Sequence, residues 1–350
     1  MTPAASTATS GRPVEALNRL VDISTSYMAS QVFFTACRLG VFEKLADGPG
    51  TAAELSPALG IDTRGCERLL AVLRNLGLVA RDGDQYYNTD AGSYCTSRSA
   101  IPMEALSIFG DPFYRIWECL PDALREYSPR WKQAVGTTAD EVFAALYEDP
   151  VRLRRFVALT DALGAPQGIE IAESFNFAPY ECILDVAGGS GSVIASIIQR
   201  HPHLRGIVMD LLPVCQLAAE NMERKGLAGR VTTAVADLFA GPYPAGANVI
   251  TLGYILHDWS DEKCRVILKH CFDALPSGGV LLVSEKVLNN DSTGERWALL
   301  SDLHMLLCCE PGAKERSETE YRLLLEGAGF RDIEIVRLDA PRDMVVAYKP

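Results

Sequence analysis

The stretch "ECILDVAGGSGSVIASIIQRHPHLRGIVMD" (residues 181–210) decides the fold. "ECILDVAGG" is a strand-compatible run that ends in glycines. "SVIASIIQRHP" carries apolar residues at helical spacing, and "LRGIVMD" is again a strand. A strand, a glycine turn, a helix and a second strand closing on an acid open a doubly wound parallel sheet.

The rhythm continues toward the C-terminus. A helix over "LPVCQLAAENMERKGL" leads to the strand "RVTTAVADLF". The apolar run "ANVITLGYILHDW" is followed by the helix "SDEKCRVILKHCFDALP" and the strand "GGVLLVSEKV". The closing strands "RDIEIVRL" and "DMVVAYKP" have only a short loop between them, so the last pair is expected to be antiparallel. The fold class is therefore α/β, with a mostly parallel sheet and an antiparallel last strand.

Before Pro179 the chain reads as helical. "VEALNRLVDISTSYMASQVFFTACRLGVFEKLAD" has helical spacing broken at Gly40. "TAAELSPALGI" and "DTRGCERLLAVLRNLGLV" each begin at a Thr or Asp start signal. "LVARDGDQYYNTDAG" then reads as a hairpin turning at Asp82-Gly83. Helices followed by a two-stranded wing form a winged-helix pattern. Residues 112–175 are expected to be helical again, and the expected organisation is 1–105, 106–175 and 176–350.

A net charge of −12 over 350 residues argues against nucleic acid or an anionic membrane as partner. Residues 1–100 carry nine Lys or Arg against ten Asp or Glu, so the winged-helix region has no basic face. The ten cysteines fall in no zinc-like spacing and read as reduced thiols of a cytoplasmic protein. "MTPAASTATSGRP" lacks the apolar core of a signal peptide and reads as a frayed tail.

In an open parallel sheet, ligands bind outside the carboxyl ends of the strands. Three ends here carry a glycine turn (Gly188, Gly189), an acid (Asp210) and a second acid with apolar neighbours (Asp237, Leu238, Phe239). Glycines let backbone approach a ligand, and an acid about 20 residues on can accept both hydroxyls of a ribose. Either Asp alone is also an ordinary helix cap. "GGSGSV" departs from the GxGxxG pattern of dinucleotide binders, and the antiparallel edge points away from them too. A fourth end, "LGYILHDWSDE" (252–262), delivers His257 and Asp258 beside these groups.

The ordered set "DVAGGSG", "VMDLLPV", "ADLF", "LHDWSDEKC", "LPSGGVLLVSEKVL" and "GAKERSETEYRLLLEGAGF" resembles the S-adenosylmethionine-dependent small-molecule O-methyltransferases. The likeness runs from about residue 20 to the end. "VFFTACRLGVFEKLAD" and "YRIWECLPDALREY" resemble the acetylserotonin type within that group, which also includes caffeate-type enzymes and bacterial natural-product tailoring enzymes. The resemblance implies a homodimer built on the winged-helix region and S-adenosylmethionine as cofactor. It implies contacts to that cofactor from Gly188, Gly189, Asp210, Leu211, Asp237, Leu238 and Phe239. His257 would be the general base, flanked by Glu285 and Glu315, and the acceptor would be a small phenol or enol. Asp258, His304, Phe156, Thr160, Met305 and Cys308 are expected around that acceptor, with no metal.

Two departures from the family stand out. Ala187 occupies the first place of its usual triple glycine, and His304 lies where the acetylserotonin type has an asparagine facing substrate. Two other functions remain open at this point. One is a metal-assisted C-methyltransferase using His257 and His304, with Asp258, as ligands. The other is a winged-helix ligand-sensing transcription regulator.

Overall fold

The first helical run forms α1 (Pro13–Leu39) and α2 (Val41–Asp47), broken at Gly40, whose φ is +75°. The computed structural model describes residues 13–99, 103–110, 112–339 and 342–350, with backbone alone at 104, 105, 108 and 109; of the expected frayed tail, 1–12 lie outside the described residues and Pro13 opens α1 instead. The chain divides into two compact units, Met1–Gly110 and Asp111–Pro350.

In the first unit, α3 (Ala52–Leu59) starts in a capping box between Thr51 and Glu54, and α4 (Thr63–Asn75) starts at Asp62. Each cap satisfies amides that the helix leaves unpaired. The wing is β1 (Val79–Asp82) against β2 (Gln85–Asn88), with Gly50 bridging to Tyr86. Asp82 pairs with Gln85, so the turn is Gly83-Asp84, one residue later than the sequence suggests. Gly83 takes the positive φ there, +57°. A one-turn helix, α5 (Asp90–Ser93), and a 3-10 stretch (Met103–Gly110) complete the unit. Phe42, Leu55, Leu70, Leu73 and Tyr86 form its core. The N-terminal part of α1 leaves Val14, Leu17, Leu20, Val21, Ile23 and Tyr27 exposed.

The second unit opens with short helices α6 (Phe113–Glu118), α7 (Leu120–Glu126), α8 (Trp131–Val135) and α9 (Ala139–Glu148), then the long α10 (Pro150–Ser174). The alternating part follows as β3 (Cys182–Val186), α11 (Ser192–Arg200), β4 (Arg205–Asp210), α12 (Leu212–Arg224), β5 (Val231–Val235) and β6 (Val249–Gly253). Next come α13 (Asp261–Ala274), β7 (Val280–Glu285), β8 (Val287–Leu288), α14 (Arg296–Cys308), β9 (Arg316–Ser317), α15 (Glu318–Gly327), β10 (Arg331–Val336) and β11 (Asp343–Tyr348).

The central sheet runs β10-β11-β7-β6-β3-β4-β5. β3 to β7 are mutually parallel, and β11 is antiparallel to both neighbours, as the short last connection requires. The strand order reverses between β3 and β6, and the crevice at that reversal is where such sheets bind ligands. α10 lies against α11 at unusually short range, because a Cβ on Gly168 would sit 2.6 Å from the Val193 carbonyl oxygen. That contact seats the helix that opens at the glycine turn. His201, just past the end of α11, is half-buried. Its Nε2 lies 2.8 Å from the Ala172 carbonyl, and its ring packs on Phe177.

Candidate active site

β3 carries Asp185 to the reversal point, buried, with Oδ1 accepting from the Thr251 hydroxyl at 2.6 Å. Burial pushes its pKa up to about 7. A Cβ on Gly188 would come within 2.6 Å of the other carboxylate oxygen, so only glycine fits there. Ala187, just before it, adopts φ +51°, a left-handed conformation that costs a residue with a Cβ. The main chain is thus held tightly over the end of β3.

Asp210 ends β4. Its Oδ2 accepts the Gly189 amide at 2.9 Å and its Oδ1 the Leu211 amide at 2.7 Å, while burial raises its pKa to about 6. Beyond β5, Asp237 accepts the Phe239 amide at 2.7 Å, and the Leu238 carbonyl accepts from the Tyr243 hydroxyl. The Phe239 ring meets Trp259 edge-on at 4.8 Å, and the Lys263 ammonium lies over both rings. Glycine turn, acid and acid therefore line adjacent strand ends, a cradle with the polarity of an adenosine. Thr160, expected near the acceptor, lies 3.6 Å from where a Cβ on Gly189 would be, which puts it beside the cradle.

The imidazole is not on β6 itself. β6 ends at Gly253, and His257 sits four residues on in a 3-10 turn (Leu256–Asp258). The chain bends because Glu285, at the end of β7, accepts the amides of Ile255 (2.8 Å) and Leu256 (2.9 Å) on Oε1. Tyr254, between strand and turn, takes φ +61°, a strained value for a bulky residue.

His257 is buried. Nδ1 lies 3.0 Å from Glu315 Oε1 and 3.4 Å from Glu285 Oε2, and Nε2 lies 3.5 Å from Asp258. With two carboxylates on its Nδ1 side, the neutral ring carries its hydrogen there and leaves Nε2 as the acceptor. Burial pulls the imidazolium pKa down, but Glu285, Glu315 and Asp258 outweigh it and bring it up to about 9. Glu315 stays ionised at about 2 despite burial, because His257, Arg342 and the Ser301 hydroxyl all bear on it. Sequence reading missed Arg342, Ser301 and Tyr254. Arg342 was within reach of it: an antiparallel last strand must begin at the ligand end of the sheet, and Asp343 pairs with Glu285.

His304, on α14, is half-buried in an aromatic corner. Its Nδ1 accepts the Trp117 indole hydrogen at 3.2 Å, and its ring lies 5.0 Å from Phe113. Burial, then the charges of His257 and Arg342, lower its pKa to about 4. Cys308 packs in the core with Ile116 and Trp131, while Met305 is buried on the same helix. Phe156 meets Phe143 edge-on at 6.0 Å. Among the described residues, the donors that cluster are those of His257, Glu285 and Glu315; His304 and Asp258 are not part of that group. Glu315 Oε1 in that cluster already takes a guanidinium hydrogen at 2.8 Å, a poor neighbour for a divalent cation.

A doubly wound sheet with a glycine turn and two acids on adjacent strand ends, and an imidazole past the end of another strand, has the layout of an enzyme that uses a nucleoside cofactor. Residues 117–331 match the O-methyltransferase domain family, and residues 21–98 match the O-methyltransferase dimerisation domain family. The chain is 33% identical over 343 residues to acetylserotonin O-methyltransferase of Bos taurus, covering 96% of this chain and 98% of that protein. It is 33% identical over 332 residues to 3-hydroxy-5-methyl-1-naphthoate 3-O-methyltransferase of Streptomyces sahachiroi, covering 92% of each. The crystal structure of human N-acetylserotonin methyltransferase in complex with SAM superposes with a TM-score of 0.88 at 30% identity, covering 98% of this chain and 99% of that one. The chain belongs to the S-adenosylmethionine-dependent O-methyltransferase family, and the regulator reading is set aside.

Proposed function

We propose that this enzyme methylates a phenolic or enolic hydroxyl of a small natural product, with His257 as general base. The observation that carries this is the His257 ring, whose Nδ1 is tied to two buried carboxylates while Nε2 faces the half-exposed Asp258. S-adenosylmethionine, when bound, supplies an already electrophilic methyl group. Gly188, Gly189 and Asp210 would hold its methionine and ribose parts, and Asp237, Leu238 and Phe239 its adenine, with Leu211 at the rim. The chain's remaining task is to orient the hydroxyl and remove its proton. Nε2 takes that proton, and Glu285, Glu315 and Asp258 stabilise the imidazolium that results.

His304, with its aromatic neighbours, supports a planar acceptor. Trp117 fixes its neutral form with the hydrogen on Nε2, a donor suited to an oxygen of that acceptor. Met305, Cys308 and Phe156 would shape the pocket behind it. We assign 1–105 to homodimerisation, 106–175 to the acceptor pocket and 176–350 to cofactor and chemistry. The ten cysteines, scattered with no zinc-like spacing, favour a cytoplasmic setting, and no helix of the described residues is long and apolar enough to cross a membrane.

The test is transfer of labelled methyl from S-adenosylmethionine to a panel of phenols and their O-blocked analogues, with and without EDTA. The proposal expects ether products from free phenols only, unaffected by EDTA. Carbon-methylated products, or activity abolished by EDTA, would favour the metal-assisted reading with His257 and His304 as ligands.

A further inference from the structure

Arg342 has no role in the chemistry so far, yet it is buried at the centre of the site. It stands just ahead of β11 and is only 4% exposed. Its Nη1 donates to Glu315 Oε1 at 2.8 Å, and its guanidinium carbon lies 4.1 Å over the Tyr254 ring. Its backbone amide donates to Gln167 Oε1 at 3.2 Å, which ties it to α10. Glu315 Oε1 therefore receives Arg342, the Ser301 hydroxyl at 2.5 Å and His257 Nδ1 together.

We propose that Arg342 is a positioning residue for methyl transfer: it locks Glu315 as an anion facing Nδ1 and tempers the surplus of negative charge around His257. This rests on the reading of His257 as the base. Every element packed on that ring contributes a group. Its own turn carries Asp258, β7 ends in Glu285, and the segment before β9 brings Glu315. α14 brings His304 and, through Asp302, a bond to the Glu315 amide at 3.1 Å. The β6 end carries Tyr254, whose ring centroid is 6.2 Å from that of His257. Three carboxylates around one imidazole hold it as the imidazolium, which cannot accept a proton. Arg342 is a buried cation in direct contact with one of them, and it opposes their charge.

Geometry matters as much as charge. A planar guanidinium donates in its plane to Glu315 while its face covers Tyr254; the point charge of an ammonium does not fix the two contacts in one geometry. With Glu315 held, the imidazole has one orientation, and Nε2 is aimed rather than free to turn.

The experiment compares wild type, Arg342→Gln, Arg342→Lys, His257→Ala and the His257→Ala/Arg342→Gln double variant. Readouts are the affinity for S-adenosylmethionine and the pH dependence of kcat/KM for a phenol. Arg342→Gln should keep cofactor affinity within about twofold, cut kcat at least about tenfold, and move the ascending limb up by about half a pH unit or more. Arg342→Lys should restore the limb while kcat stays several-fold low. In the His257→Ala background, Arg342→Gln should add nothing, because its effect runs through the imidazole.

A folded Arg342→Gln enzyme with the wild-type limb overturns the proposal. If that variant does not fold, Arg342→Lys decides: wild-type kcat and limb together overturn it, and lowered kcat on an unmoved limb supports it. A fully active His257→Ala enzyme would sink the base reading itself and this proposal with it, a result distinct from an inert His257→Ala beside a silent Arg342→Gln.

Discussion

His257 is held as the imidazolium near neutral pH by Glu285, Glu315 and Asp258, with a pKa of about 9, yet only the neutral ring can take a proton from the acceptor. Activity should therefore rise with pH along a limb set by this group. A bound sulfonium is a nearby cation and draws the value down, so at saturating S-adenosylmethionine the apparent pKa of kcat/KM should fall between about 6.5 and 9. Stability follows the opposite sense. The folded pKa is raised, so the stabilisation from the charged ring is complete below the unfolded value of about 6.5 and is lost as pH rises through about 9. Between those values the enzyme should gain turnover while the melting-temperature advantage of wild type over His257→Asn narrows. A limb at or below pH 6 would mean that the carboxylates do not govern the ring.

At the level of elements, β3, its glycine turn, α11 and β4 were legible because each depends on local pattern: apolar runs, a glycine forced by a close carboxylate, an acid at a strand end. What long-range pairing decides was not. β6 was read as running directly into His257, but it stops at Gly253 because an acid thirty residues away takes two amides of the following turn. The setting of His201 is likewise a long-range matter, since the Ala172 carbonyl beside its ring belongs to α10. α10 itself is fitted to α11 with no spare room. Gly168→Ala should force the two helices apart, costing about 1–3 kcal/mol. Calorimetry should find a melting temperature lower by several degrees and weaker binding of S-adenosylmethionine, because α11 starts directly after the glycine turn, capped by Gly191. An unchanged melting temperature would contradict that packing.

For the whole molecule, the first unit carries apolar surface that a lone chain does not cover. Val14, Leu17, Leu20 and Ile23 on α1 are each at least 60% exposed, and residues 21–98 match a dimerisation domain family. Association that buries this stripe is the physical expectation. Leu17→Asp with Leu20→Asp should convert the protein to a monomer in light scattering at low micromolar concentration. A dimer that survives both changes would move the interface elsewhere.

On the proposed mechanism, the enzyme's own contribution to the chemical step is proton removal by His257. The turnover of His257→Ala on a series of phenols of falling pKa, with cofactor binding measured in parallel, isolates that contribution. Binding should be unchanged. Turnover should drop about 10²–10⁴-fold on an ordinary phenol, then recover steadily as the acceptor becomes acidic enough to ionise unaided. Wild-type turnover across the series, or a loss of the same size for every phenol whatever its acidity, would contradict it.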